Sequence, residues 1–335
     1  MIEHRLKKHI ETYGGITVRE YQDVLLFDPT DGYYANSKVI GKSGDFITSP
    51  EISQAFGEVV ALYFVNQWYQ MDCPPEVLLI ELGPGRGTLM LDMIRTFKQF
   101  PDFWNVVCVY LVEVCPSLMQ QQIDCLGNDI KHVSSLAIVP EADVQFIVAN
   151  EFFDALPVEQ FVCSNANETR ERVIHYSEKD GFYFEPHTDE EYIIEKSASS
   201  MIIIDEIKRR LSNGAGMALI IDYGDTHETT PDNFQRVGDT LQAVYQHQRV
   251  SVFDCMGKAD LSHHVDFGTF QKALAPLRME CMTQGTFLIQ NGINERTDYL
   301  AKRDNRIAAA LRTGAARLTA PSAMGSLFKI LIVNS

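Results

Sequence analysis

The feature that most constrains the fold of this chain is a change of hydrophobic pattern at Val77. From there on, short apolar runs rich in β-branched residues alternate with stretches of helical periodicity. This alternation is typical of βαβ units, in which helices join the parallel strands of one sheet. We therefore predict an α/β fold around a mostly parallel sheet. The predicted strands are Val77–Leu82, Val107–Glu113, Ile130–Val133, Val144–Asn150 and Met217–Asp222, with a last buried strand over residues 326–333.

The region before Val77 has a helical pattern instead. Its predicted helices cover Ile2–Tyr13, Thr17–Phe27 and Ile52–Tyr69. Ser49 and Pro50 read as the cap and first position of a further helix start. We predict an N-terminal helical cap over residues 1–72 and a sheet domain over residues 73–335. Polar residues alternate with aromatic or branched ones between about residues 158 and 190, which predicts an inserted β-hairpin region.

Charge and composition restrict the partners. A formal net charge of −16 on 335 residues disfavours binding to a phosphate backbone and favours a cationic partner, such as an arginine-bearing protein segment. No apolar stretch is long enough to span a membrane. The N-terminus resembles neither a signal nor a transit peptide, so we expect a cytoplasmic location.

The metal-binding residue types are scattered along the chain. Seven cysteines without a C-x-x-C pair predict reduced, mostly buried thiols. The nine histidines form no cluster with cysteine at zinc spacing, so we expect no metal site.

A glycine-rich turn follows the first predicted strand. Its glycines, Gly83, Gly85 and Gly87, form a G-x-G-x-G pattern, and Thr88 stands where a dinucleotide fingerprint needs its third glycine. Glu81, two residues before the turn, would repel a pyrophosphate but would tolerate a cationic amino-acid cofactor. This pattern favours S-adenosylmethionine (SAM) over a nicotinamide dinucleotide.

Two further strand ends carry polar groups suited to such a cofactor. Glu113 ends the second strand, where its carboxylate could accept both ribose hydroxyls. Its distance from Gly83 exceeds the usual gap of about twenty residues, so we expect extra chain around Pro101–Trp104. Asn150 ends the next long strand and is also predicted to face the cofactor.

The acceptor side of the site is predicted from acids that follow Asn150. Glu151 and Asp154 are flanked by aromatic residues and could clamp a guanidinium through bidentate hydrogen bonds. Either acid could instead only cap the next helix. Five residues are predicted to line the substrate pocket, although ordinary helix-start and turn chemistry would also explain them: Thr48, Ser49, Glu51, Asp222 and Tyr223.

These motifs resemble the MidA-like family of methyltransferases, which includes complex I assembly arginine methyltransferases and bacterial relatives. The resemblance implies a class I methyltransferase fold of seven strands, Rossmann-like, with SAM at the glycine turn and an arginine acceptor in mitochondrial members. The chain departs from the family pattern at residues 39–43 and 255–257. The resemblance is carried by residues 44–53, 81–90, 111–114, 150–158, 221–224, 238–243, 259–267 and 324–329.

We expect SAM-dependent methylation of a protein arginine by direct attack on the sulfonium methyl. Three alternatives remain open: a SAM-binding assembly factor without turnover, a small-molecule methyltransferase, and a nicotinamide dehydrogenase. The G-x-G-x-G spacing and Glu81 argue against the dehydrogenase.

Overall fold

The computed structural model describes residues 2–35, 47–127, 130–163, 169–186, 192–226 and 239–335. The parts of the resemblance at 44–46 and Gly238, and the departure at 39–43, lie outside these residues. The chain forms two compact units. The first comprises residues 1–46, 153–203 and 226–270, and the second comprises residues 47–152, 204–225 and 271–335. The predicted division after residue 72 differs from these boundaries and stays a prediction.

Seven strands of the second unit form one sheet. In chain order they are β1 (Val77–Leu82), β2 (Val107–Val112), β3 (Lys131–Val133), β4 (Val144–Asn150), β5 (Ala215–Asp225), β6 (Arg278–Thr283) and β7 (Phe328–Asn334). Their order across the sheet is β6-β7-β5-β4-β1-β2-β3. Strand β7 runs antiparallel to both of its neighbours, and the pairs β1–β2, β1–β4, β2–β3 and β4–β5 are parallel. The predicted α/β class with a parallel-rich sheet is confirmed.

Helices of the second unit precede the first strand of this sheet or connect its strands. They are Ser49–Ile52, Gln54–Gln70, Thr88–Phe97, Pro101–Trp104, Pro116–Leu126, Gln284–Gln290, Ile293–Arg303, Ala308–Thr319 and Met324–Leu327, together with a 3-10 turn at Leu136–Ile138. Helix Ala198–Asn213 passes from the first unit into the second. The extra chain expected before β2 is the short helix Pro101–Trp104. The predicted helix cap at Ser49 is wrong by one residue, because Thr48 is the cap and Ser49 already has helical geometry.

The core of the second unit lies on both faces of the sheet. Every residue of β1 and β4 is buried, as expected for parallel strands covered on two sides. Phe146 of β4 stacks on Phe64 of helix Gln54–Gln70 at a ring-centroid distance of 5.3 Å. Apolar packing therefore fixes the two central strands. The polar residues at their carboxyl ends are not needed for this packing and are available to bind a ligand.

The first unit combines the N-terminal helices with small antiparallel sheets. Helix Val18–Phe27 begins with a capping box between Thr17 and Glu20. The predicted hairpin is present as Val173–Ser177 and Gly181–Glu185, and it pairs with Ile16–Thr17. The other elements are Ile2–Tyr13, Tyr33–Ala35, Phe153–Ala155, Glu159–Cys163, Thr169–Glu171, Tyr192–Lys196, Gln242–Tyr245, Gln248–Val250, Asp260–Ser262 and Val265–Asp266, and helix Phe267–Leu274 starts in this unit.

The cysteines differ from expectation in burial. All seven are free, but Cys73 and Cys125 are exposed and the other five are partly exposed. The prediction of mostly buried thiols is therefore wrong, because even those on apolar strands, such as Cys108 and Cys281, lie near sheet edges. No helix in the described ranges is long and apolar enough to cross a membrane. Within the same ranges, no group of three or more His, Cys, Asp or Glu side chains could hold a metal ion.

Candidate active site

The polar strand ends of the second unit meet at one edge of the sheet. The Gly83 amide, after β1, donates to the Val112 carbonyl at 3.1 Å, and the Glu113 amide donates to the Val133 carbonyl at 2.9 Å. The Glu151 amide, after β4, donates to the Ile221 carbonyl at 2.8 Å. These bonds align the ends of the central strands, so Glu113, Glu151 and the glycine turn share the carboxyl edge where α/β sheets bind ligands.

All three turn glycines have positive φ, a region that L side chains rarely adopt. A Cβ on Gly83 would lie 2.4 Å from Cδ2 of Phe152, whereas a Cβ on Gly85 would meet nothing within 4 Å. Gly87, with φ of 80°, caps helix Thr88–Phe97. The first glycine of the turn is therefore packed against the Phe152 ring, and the second faces open space.

Glu81 is buried at the end of β1, with 2% of its surface exposed. Its Oε2 has no hydrogen-bond partner among the described residues. Burial, and then repulsion by Glu113, raise the pKa of Glu81 to about 8. A buried carboxyl with an unused oxygen suits a cationic group of a ligand, because such a group would satisfy both its charge and its hydrogen bonding.

Asn150 presents a second unused atom at this edge. Its side chain is buried, and Oδ1 has no hydrogen-bond partner in the described part of the chain. Its Nδ2 donates to Oε1 of Glu151 at 3.3 Å. Asn150 can therefore accept one more hydrogen bond, from a ligand donor.

Glu113 is held rigidly after β2. Its Oε1 accepts from the amides of Val114 and Cys115 at 2.9 and 2.8 Å, and its Oε2 accepts from Nε2 of Gln122 at 3.0 Å. Burial raises the pKa of Glu113, and these three hydrogen bonds oppose the shift. The result is a carboxylate of fixed orientation, which is what recognition of a diol requires.

Glu151 is a half-buried residue with a strained backbone. Its φ of 51° is unusual for a residue that carries a Cβ, and such strain is often found at functional sites. Its Oε1 accepts from the Ser49 amide at 2.6 Å in addition to Asn150. Burial raises its pKa to about 7, while the bonds from Ser49 and Asn150 act in the opposite direction.

The predicted pocket residues before β1 hold the short helix Ser49–Ile52 in place. Thr88 Oγ1 donates to Glu51 Oε1 at 2.5 Å, which ties this helix to the glycine turn. Ser49 is fully buried, and its hydroxyl donates to Oε1 of Gln284 at 3.4 Å. The carbonyl of Thr48 accepts from the Glu51 amide at 2.9 Å. Their role as pocket lining stays a prediction, and these contacts hold the short helix in place.

Asp222 and Tyr223 lie near the end of β5. Asp222 is fully buried, and its carboxylate accepts from the amides of Phe152 and Tyr223 at 3.2 and 2.9 Å. The Tyr223 ring is also buried, 5.7 Å from the Phe328 ring. Asp222 therefore fixes the chain just after Glu151.

Asp154, the second predicted catalytic acid, belongs to the first unit. It lies in the 3-10 turn Phe153–Ala155, where its carbonyl accepts from the His263 amide at 3.0 Å. The His263 ring lies 3.0 Å from the Leu156 carbonyl, so the family segment around His263 supports this turn.

Sequence analysis missed Gln122 and Gln284. Both side chains are fully buried although glutamine is usually exposed. Gln122 contacts Glu113 and the glycine turn, and Gln284 contacts Ser49. Nothing in the local pattern marks them, because it does not distinguish a buried glutamine from an exposed one.

This fold and this edge of polar groups define a class I SAM-dependent methyltransferase. A family of S-adenosyl-L-methionine-dependent methyltransferases matches residues 59–283, and the chain belongs to it. The chain is 32% identical to protein arginine methyltransferase NDUFAF7, mitochondrial, from Mus musculus over 98% of this chain and 83% of that protein. For the Homo sapiens protein of the same name the identity is 31%, over 98% and 82% of the two chains.

A solved structure supports the fold. A Burkholderia thailandensis protein bound to S-adenosyl-homocysteine superimposes with a TM-score of 0.84 at 22% identity, covering all of this chain and 92% of the other. The cofactor of this chain is SAM, as predicted. The residues present fit it, because Glu81 Oε2 and Asn150 Oδ1 lack partners among the described residues and Gly85 leaves open space.

The expected cytoplasmic location is wrong. The curated relatives that cover almost the whole chain are named as mitochondrial proteins. The expectation had rested on the absence of a recognisable targeting segment, which does not determine location.

Proposed function

We propose that this methyltransferase modifies an arginine side chain of a protein substrate. The observation that carries the proposal is Glu151, a half-buried acidic residue with a strained backbone at the carboxyl edge of the sheet. The names of the relatives, protein arginine methyltransferases, support the same acceptor. The net charge of −16 also favours a cationic substrate segment.

On the cofactor side, we assign binding roles to the residues predicted from the sequence. Glu113 would accept hydrogen bonds from the ribose hydroxyls, since three hydrogen bonds already fix its carboxylate. Glu81 and Asn150 would receive the amino-acid end, because each has a buried oxygen without a partner in the described chain. When bound, SAM supplies an electrophilic methyl group on a sulfonium sulfur.

On the acceptor side, Glu151 would orient the guanidinium. Both recorded hydrogen bonds to its carboxylate end on Oε1, so Oε2 is the atom that we assign to the substrate. In the transfer, a guanidinium nitrogen bonds to the methyl carbon while the methyl–sulfur bond breaks and its electron pair stays on sulfur. The nitrogen then loses a proton, which Glu151 can accept because its pKa is raised to about 7. The catalytic role of Asp154 stays a prediction, and Asp154→Asn should lower activity if its carboxylate contributes to the reaction.

The test is transfer of a labelled methyl group. Wild type, Glu151→Gln and Asp154→Asn are incubated with S-adenosyl-L-[methyl-³H]methionine and total protein from cells that lack this enzyme, and the protein is hydrolysed to amino acids. We expect label in methylarginine, with at least a roughly hundredfold loss in Glu151→Gln, the size typical of a positioned acid–base group. Glu141→Gln, an exposed glutamate of the same unit, is the matched control and should keep wild-type activity.

The other outcomes separate the alternatives. Label confined to small molecules would identify a small-molecule methyltransferase. Binding of S-adenosylhomocysteine without any labelled product would favour an assembly factor. Full activity in Glu151→Gln would refute the proposed role of this residue.

A further inference from the structure

Gln122 connects three separate parts of the cofactor edge. It lies on helix Pro116–Leu126 and is fully buried. Its Nε2 donates to the Gly85 carbonyl at 2.6 Å and to Oε2 of Glu113 at 3.0 Å. Its Oε1 lies 3.1 Å from Nε2 of His132 on β3. One amide group therefore links the glycine turn, the acid after β2 and the next strand.

The chemistry of its neighbours allows only one orientation of this amide. The Gly85 carbonyl and the Glu113 carboxylate are acceptors only, so both must face the amide NH₂ group. The opposite orientation would place Oε1 against two oxygens and leave the NH₂ group facing His132. A histidine that donates from Nε2 therefore completes the arrangement, and all three hydrogen bonds of Gln122 are then satisfied.

We propose that Gln122 is a positioning residue that turns the Glu113 carboxylate toward the ribose hydroxyls of the cofactor. Two backbone amides hold Oε1 of Glu113, and Gln122 is the recorded partner of Oε2. Without Gln122, Oε2 would lose this donor, and the two amides on Oε1 alone would hold the carboxylate plane less firmly. Because Gln122 also donates to the Gly85 carbonyl, it sets the position of Glu113 relative to the glycine turn. This inference rests on the proposed ribose-binding role of Glu113.

A purely structural role would have a different signature. If Gln122 only packs the helix against the turn, its removal should weaken every cofactor analogue equally. If it acts through Glu113, the loss should depend on the ribose hydroxyls. The contact between helix and turn does not depend on Gln122 alone, because Sγ of Cys125 also donates to the Arg86 carbonyl at 3.5 Å.

The experiment compares two ligands by calorimetry: S-adenosylhomocysteine and its 2′,3′-dideoxy analogue. Gln122→Met keeps the length of the side chain and removes its hydrogen bonds. We expect this variant to bind S-adenosylhomocysteine about tenfold more weakly than wild type, the loss typical of one hydrogen bond to a charged group. We expect its affinity for the dideoxy analogue to stay within about twofold of wild type.

Two further variants complete the test. Gln120→Met, on the exposed face of the same helix, is the matched control and should bind both ligands as wild type does. His132→Leu removes the ring that orients the Gln122 amide and lies on the partly exposed strand β3. We expect it to weaken S-adenosylhomocysteine binding less than Gln122→Met does, and to leave binding of the dideoxy analogue unchanged. This variant keeps the proposal testable if Gln122→Met does not fold. An equal loss for both ligands, or no loss, would overturn the proposal. Absence of binding by the wild type would overturn the cofactor site itself.

Discussion

Glu81 shows how a single buried acid can couple ligand binding to proton release. With its pKa raised to about 8, it is mostly protonated at pH 7 in the ligand-free protein. A cationic amino group beside it would favour the carboxylate and lower that pKa, so the proton would leave when the ligand binds. We therefore expect S-adenosylhomocysteine binding at pH 7 to release a proton, and Glu81→Gln to release less.

The measurement is calorimetry in two buffers of different ionisation enthalpy. The difference in apparent binding enthalpy between the buffers gives the number of protons released. Equal release by wild type and Glu81→Gln would contradict the assignment of Glu81 to the amino-acid end of the cofactor.

Glu151 leads to a prediction about the pH dependence of activity. Its pKa is raised to about 7, so the carboxylate that would bind a guanidinium is the minor form below that pH. We expect kcat/KM to rise with pH up to a plateau above about 7, because deprotonation restores the negative charge. The pH profile is measured with the labelled-methyl assay, and a profile that falls with rising pH through this range would contradict the role.

At the scale of elements, the glycine turn offers a matched pair of substitutions. Gly83→Ala and Gly85→Ala both place a Cβ at positive φ, but only the first meets the Phe152 ring, at 2.4 Å. We expect Gly83→Ala to lose about 1–3 kcal/mol more unfolding free energy than Gly85→Ala, the usual cost of overpacking. Urea unfolding measures both, and equal losses would show that the ring is free to move aside.

Helix Ala198–Asn213 is anchored by Arg210. This fully buried side chain donates to the carbonyls of Leu136 and Val139 at 2.8 and 2.6 Å and to Oε1 of Gln145 at 2.8 Å. Arg210→Met would leave buried acceptors without donors, so we expect a loss of about 3 kcal/mol in unfolding free energy. The control is Arg209→Met on the exposed face, where we expect little change by thermal or urea unfolding.

The sequence predicts an element well when the residues that fix its ends are local, and less well when they lie far away in the chain. Strands β1 and β4 were predicted residue for residue, since continuous apolar runs that are buried on both faces have clear ends. Strand β5 is longer than predicted, from Ala215 to Asp225, because it pairs with β7 across Met217–Tyr223 and Gly216 lies close to the Gln145 backbone. These partners come from distant parts of the chain, so the local pattern does not reveal them.

For the whole molecule, the sequence predicted the class, the cofactor and the family, because the glycine turn and its acid are local in sequence. The two compact units could not be predicted, since each is assembled from three separate segments. The first unit is held together by such distant contacts: Arg172 donates to Asp239 at 2.5 Å and to Gln160 at 2.9 Å, and its guanidinium carbon lies 3.7 Å from the Phe184 ring centroid. Asp239 belongs to one of the family segments, and its contacts with Arg172 and Gln160 stabilise the first unit.

The most direct test of the cofactor site is a calorimetric titration of S-adenosylhomocysteine into wild type, Gly85→Val and Glu113→Ala. A Val side chain at the second glycine would fill the open space there, and Glu113→Ala would remove the proposed ribose acceptor. We predict saturable binding by the wild type and none that is measurable in either variant. Binding of equal affinity in all three proteins, or no binding by the wild type, would contradict the site described for this edge of the sheet.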